Sequence, residues 1–227
     1  MTTSMIWMNW TTMSWMQAKK TRIRARRSIE LALGVILVAA APVWASAVET
    51  AAARAVMEET VSDVLAVLRA PELETPERRT RLETIARDRF DFETMSKLVL
   101  RRSWKKFSAQ QRVDFVDAFT DHLATSYGTR VERYNEQDVQ ITGDRSEPRG
   151  DVTVLTTILG GGASDISMDY RLRAKEGIWR VIDVKIEGIS LISSFRSQFK
   201  EVLSQNGPDE VLRRLKEKTA TLENSGA

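Results

Sequence analysis

The chain has 227 residues, with 34 Lys and Arg against 31 Asp and Glu, a single His and no Cys. Without cysteine there is neither a disulfide framework nor thiol chemistry, and a lone imidazole cannot build a multi-histidine metal site. The excess of base is local. Lys19, Lys20, Arg22, Arg24, Arg26 and Arg27 stand ahead of the apolar run LALGVILVAAAPVW, which Pro42 interrupts.

That run is too short to span a bilayer comfortably, and the small-x-small triplet Ala45-Ser46-Ala47 follows it. Residues 1–47 are therefore expected to form a secretory signal cut after Ala47, with an uncleaved anchor as the alternative. Met16 is a candidate true start, and Arg26-Arg27 fits a twin-arginine signal only weakly because Glu30 stands where an apolar residue belongs. Removing 1–47 leaves 28 basic against 30 acidic side chains, a net charge of −2. The basic balance belongs to the targeting segment, so no nucleic-acid partner is expected. The remainder suffices for one domain, expected over residues 48–220 as a monomer, with a disordered tail at 221–227.

Residues 48–70 read as a helix with Met57, Val61, Val64, Leu65 and Leu68 on one face, ended by Pro71. Thr75-Pro76-Glu77 starts a second helix, with Thr75 as N-cap and Pro76 at the first helical position. Asp91 caps a short third helix with Phe92, Met95, Leu98 and Val99 inward. Ser108 and Gln111 form a capping box that opens the longest helix, where Val116, Phe119, Leu123, Tyr127, Val131 and Tyr134 make one stripe.

After Asn135 the apolar period changes from helical to alternating. Strands are expected over 137–144, 151–159, 164–173 and 178–187, joined at Glu147-Pro148-Arg149-Gly150, Gly160-Gly161-Gly162 and Lys175-Glu176-Gly177. The fourth strand is apolar on both faces, Trp179 and Val181 on one, Ile182, Val184 and Ile186 on the other. It is either covered twice or carries a bulge that exchanges its faces. A helix with Leu191, Ile192, Phe195, Phe199, Val202 and Leu203 in register follows, stopped at Asn206-Gly207-Pro208. A last helix runs from 209 to about 219. The fold class is α+β: N-terminal helices, a curved four-stranded antiparallel meander and C-terminal helices.

Catalytic chemistry has little to stand on. His122 is the only imidazole and reads as a surface or half-buried helix residue. The triple glycine lacks the Lys-Ser/Thr continuation of a phosphate loop and lies between strands. Asp169 and Asp183, on adjacent strands, form with Tyr170 the one enzyme alternative; exposed strand acids are the plainer reading. No cofactor or metal is expected. The apolar side chains either fill an ordinary core or line a cavity between sheet and helices, and periodicity does not separate the two.

The stretch YRLRAKEGIWRVIDVKIEGISLISSFRSQF (170–199) resembles the MlaC family of periplasmic phospholipid-binding proteins, also called toluene-tolerance proteins. Tyr170, Leu172, Gly177, Trp179, Val181, Asp183, Val184, Ile186, Glu187, Gly188, Ser190, Leu191, Phe195, Arg196 and Phe199 carry the likeness, and FDFETMSKLVLRRSWKKFSAQQRVDFVDAF (90–119) resembles the segment ahead of the family's sheet. Phe195 stands where the family commonly has Tyr. The resemblance implies a carrier with an apolar cavity between sheet and helices. It would pass phospholipid between an outer-membrane lipoprotein complex and an inner-membrane ABC transporter with a substrate-binding ring. From the stripe positions, the expected tail contacts are Leu98, Val99, Phe119, Leu123, Tyr127, Met168, Tyr170, Trp179, Val181, Val184, Leu191 and Phe195. Ser190, Ser194, Ser197 and Arg196 are either a headgroup or partner contact or an ordinary solvated face; a ligand-free interaction module is a third reading of the whole.

Overall fold

Helices flank a meandering sheet in chain order. The computed structural model describes residues 43–132, 137–160 and 165–226. Of the expected signal, residues 1–42 lie outside the described residues. Helix α1 spans Val43–Leu68, α2 Thr75–Arg89, α3 Phe92–Leu100, α4 Ala109–Glu132, α5 Leu191–Gln205 and α6 Pro208–Gly226; a short 3₁₀ turn, Arg101–Lys106, links α3 to α4.

Local signals start and stop these helices. Asp91 caps α3, its Oδ1 accepting the Thr94 N–H at 2.8 Å. The capping box at α4 closes reciprocally: the Gln111 N–H reaches Ser108 Oγ at 3.1 Å, and the Ser108 N–H reaches Gln111 Oε1 at 2.9 Å. At α2 the cap moves by one residue. Glu74 is the N-cap and makes no side-chain cap bond, while Thr75 is already helical. The last helix does not end near residue 219. It continues through 226, so residues expected in a disordered tail are helical. Two features hold it. Thr219 is buried, and Arg213 pairs with Glu210 and Glu217 at helical spacing.

The sheet is antiparallel in the order β1-β2-β3-β4-β5, with β1 Asp138–Ser146, β2 Val152–Leu159, β3 Ile166–Lys175, β4 Ile178–Ile186 and β5 Ile189–Ser190. Among the described residues the sheet has five strands rather than four. The extra one arises because Glu187 and Gly188, at φ of 50° and 77°, form a two-residue turn that pairs Ile186 with Ile189. Glu176 and Gly177 do the same between β3 and β4, with φ of 55° and 81°. Positive φ at both loop residues matches the right-handed twist of the flanking strands.

The two-faced apolar pattern of β4 resolves into a bulge. Leu172 faces Val181 and Arg171 faces Asp183, leaving Ile182 as the extra residue. A second bulge at Thr142 separates the pairs Ile141–Thr156 and Gly143–Leu155. Each bulge exchanges the faces of the residues beyond it and bends its strand. Trp179, Val181, Val184 and Ile186 thereby share the face of Met168, Tyr170 and Leu172.

Two apolar cores result. One is helical, built on Phe115, Phe119, Phe195 and Phe199 with Met95, Val99, Val202, Val211 and Leu215. The other joins Ala53 and Met57 of α1 to Val152, Val154, Leu172, Val181 and Val184 of the sheet. Phe90 packs against both. Its own backbone bridges to Val181, and the Asp91 N–H donates to the Val181 carbonyl at 2.9 Å, fixing the α2–α3 corner to the free side of β4.

Candidate functional site

The inner face of the sheet carries the site. Cross-strand pairing sets Tyr170 between Val154 and Val184, Leu172 between Val152 and Val181, and Met168 between Thr156 and Ile186. Burial is uneven along this face. Under α1, Val152, Val154, Leu172 and Val181 are at most 1% exposed. Toward the other end, Ile158, Ile166, Met168 and Ile186 are only half-buried. A folded chain gains by covering such residues, so this half-buried apolar end is the candidate place for an apolar ligand.

The twelve expected tail contacts divide evenly between the two cores. Leu98, Val99, Phe119, Leu123, Tyr127 and Phe195 belong to the helical core, whereas Met168, Tyr170, Trp179, Val181 and Val184 belong to the sheet core, with Leu191 of α5 packed against it. Phe119 and Phe195 stand edge to face at 5.1 Å between ring centres, and both also contact Phe199. At 0% and 3% exposure they are interior rings. Leu98, Tyr127, Met168, Tyr170, Trp179 and Leu191 are half-buried. Ile158, Ile166 and Ile186 share this face and are not among the expected contacts. Alternation with Met168 and Tyr170 marks Ile166, but Ile186 reaches this face only through the bulge.

The polar flank of α5 is occupied by the fold itself. The Ser190 hydroxyl donates to Asp183 Oδ2 at 2.7 Å and accepts the Ser193 N–H at 3.0 Å. Asp183 Oδ1 accepts the Ile192 N–H at 3.2 Å. The free N–H groups that an anion would need at this helix start are thus capped from within. Ser194 and Ser197 donate to the carbonyls one turn back, of Ser190 and Ser193. Arg196 sends Nε and Nη2 to a single acceptor, the Leu98 carbonyl, at 3.2 and 3.0 Å. It closes the C-terminal end of α3 and ties it to α5, so its observed partner is a backbone group.

The enzyme alternative is not assembled. Asp169 pairs across the strands with Lys185 and Asp183 with Arg171, on the face opposite Tyr170. An acid on one side of a sheet cannot share a proton with a phenol on the other. His122 departs from expectation in another way: it is buried, at 2% exposure. Its Nδ1 lies 3.1 Å from Thr219 Oγ1 and its Nε2 3.5 Å from Ser126 Oγ. Burial holds it well below the ordinary histidine range, at about 4, with Lys218 adding in the same direction. The outer face has its own anchor in Asp151, fully buried and gripped by Arg173 at 2.6 and 2.8 Å and by Arg171 at 2.9 Å.

Tyr170 is the aromatic hydroxyl of the inner face. Its Oη has one weak acceptor, the Met168 sulfur at 3.9 Å. Burial pushes the phenol up to about 12, so it is a donor at any physiological pH. Among the described residues no cluster of three or more His, Asp or Glu is arranged to hold a metal ion, and no helix is long and apolar enough to cross a membrane.

The family model described as MlaC protein matches residues 58–217. The toluene tolerance protein ttg2D of Pseudomonas putida is 25% identical over 120 residues, covering 52% of this chain and 56% of its own length. The intermembrane phospholipid transport system binding protein MlaC of Haemophilus influenzae is 24% identical over 125 residues, covering 52% and 58%. The aligned part thus spans little more than half the length of these curated relatives. A phospholipid-binding protein from Ralstonia solanacearum, solved in complex with a phospholipid, superposes with a TM-score of 0.68 at 25% identity. That superposition covers 75% of this chain and 98% of the other.

Proposed function

The chain belongs to the MlaC family, and from that premise we propose that it is a periplasmic carrier of diacyl phospholipid. It takes lipid from one membrane-bound machine and delivers it to another, an outer-membrane lipoprotein complex and an inner-membrane ABC transporter with a substrate-binding ring. The observation that carries this reading is the inner sheet face, largely apolar on β2, β3 and β4 and half-buried at the end formed by Ile158, Ile166, Met168 and Ile186. Each methylene transferred to such a surface gains about 0.8 kcal/mol, so an acyl chain sums to roughly ten kcal/mol or more. That suffices to hold a lipid in water without bond chemistry. The names of the relatives and the lipid bound to the Ralstonia neighbour support the same substrate class, and the expected signal over 1–47 supports export.

Within the site, we assign tail contact to Met168, Tyr170, Trp179, Val184 and Leu191 with Ile158, Ile166 and Ile186 beside them. Leu98 and Tyr127 form the half-buried edge contributed by the helices. The test is direct. Purified protein extracted with organic solvent should release near-stoichiometric phospholipid by mass spectrometry; protein that folds, is lipid-free and takes up no lipid from vesicles overturns the reading.

A further inference from the structure

A lipid held only by its tails would be read for length and not for chemistry. On the inner face the Tyr170 hydroxyl is placed to read more. Tyr170 lies mid-face, with Val154 and Val184 across the strands and Met168 and Leu172 on the same strand. Its hydroxyl leans toward Met168, the half-open end, where its only acceptor among the described residues is the thioether at 3.9 Å. A thioether is a weak acceptor, and a phenol enclosed by apolar groups without a good one loses free energy comparable to a missing hydrogen bond.

The surroundings restrict what could satisfy it. The nearby inner-face hydroxyl, Thr156, donates to the Met168 carbonyl at 2.6 Å and, among the described residues, makes no hydrogen bond with Tyr170. Arg171, Arg173 and Lys185 belong to the outer face by register. Arg54, on the covering helix α1, is engaged by Glu58 and Asp144. A phosphate at Tyr170 would therefore be a charge in an apolar site where, among the described residues, the sheet's inner face holds no free cation and Arg54 is engaged, which is costly. Hydrocarbon offers no acceptor at all. A neutral carbonyl between headgroup and tails meets both conditions.

We propose that the Tyr170 hydroxyl donates a hydrogen bond to an ester carbonyl of the bound lipid, making this carrier selective for acyl-ester over ether-linked phospholipids. The inference rests on the carrier reading above and deepens it. An ether lipid has the same headgroup and nearly the same length but lacks the carbonyl. One neutral hydrogen bond in such a site corresponds to roughly a two- to tenfold preference.

The experiment is a competition. Protein is equilibrated with vesicles containing equimolar diacyl and dialkyl phosphatidylethanolamine of matched chain length, re-isolated, and its bound lipid quantified by mass spectrometry. Wild type should enrich the diacyl form by roughly two- to tenfold, and Tyr170→Phe, which keeps the ring and removes the hydroxyl, should bring the ratio to parity. Met168→Leu removes the competing sulfur and keeps the hydroxyl, so its preference should equal or exceed that of wild type; it also tests the idea if Tyr170→Phe fails to fold. Parity in wild type, an unchanged preference in Tyr170→Phe, or its loss in Met168→Leu overturns the assignment while leaving the carrier intact. Equal loss of both lipids in folded Tyr170→Phe moves the acceptor to the phosphate and overturns the ester. Wild type that binds neither lipid removes the carrier reading and this inference with it.

Discussion

Acid should loosen this protein through one buried ring. The Thr219 hydroxyl donates to the Leu215 carbonyl at 2.9 Å, so its oxygen is left to accept, and His122 must present Nδ1–H to it. Neutral His122 therefore joins α4 to α6, with its ring edge-on to Phe195 at 5.7 Å between centres. Its folded-state pKa is about 4 against an ordinary 6.5. Above pH 6.5 the group is neutral in both states and stability is unaffected. Below it the unfolded chain takes up a proton that the folded chain refuses until about pH 4, so stability falls across that window as pH falls. At about 1.4 kcal/mol per pH unit the whole window is worth on the order of 3 kcal/mol. Urea unfolding near pH 7.5 and pH 4.5 measures most of it. The control is His122→Asn, whose amide can still donate to Thr219 but does not titrate. Carboxylates protonate in both proteins and cancel in the comparison. Wild type should lose about 2–3 kcal/mol more than the variant between the two pH values; equal losses would show that His122 is charged or exposed in the folded state, and the argument would fail.

Arg196→Met should cost about 1–2 kcal/mol in urea unfolding, since a partly buried guanidinium leaves the Leu98 carbonyl without its donors. The headgroup profile of the bound lipid should stay unchanged, whereas a shifted profile would restore a headgroup role. Glu176→Asn should raise the melting temperature, because Asn tolerates a φ of 55° better than Glu and suits this turn. A gain of roughly 0.5–1 kcal/mol is expected, and a loss would mean that the Glu176 side chain stabilises the hairpin.

Much of the architecture is legible from local pattern. Asp91, the Ser108–Gln111 box and Ser190 cap the helices the sequence assigns to them, because a cap needs only its own first turn. The missed fifth strand also had a local signal. Ile186-Glu187-Gly188-Ile189 repeats the Lys175-Glu176-Gly177-Ile178 pattern, and both are two-residue turns. The burial of His122 is not legible locally for a different reason. Its partner Thr219 lies 97 residues on, and α4 is buried on two sides, toward α5 through Phe119 and toward α6 through Ala118 and His122. A single apolar stripe does not show the second side. Arg196 and Leu98, 98 residues apart, are equally beyond any local window.

By itself the sequence determined the class and order of elements, the absence of thiol chemistry and a family likeness in residues 170–199. These follow from periodicity, composition and short spacings, which act within a turn or a hairpin. Only the tertiary structure decided which apolar residues share a surface. One extra residue at Ile182 turns Val184 and Ile186 to the side of Trp179 and Val181, because side chains in a strand alternate and a single insertion reverses all that follow. That reversal builds the inner face, turns Asp183 away from it, and leaves Tyr170 among apolar neighbours with a weak acceptor for its hydroxyl.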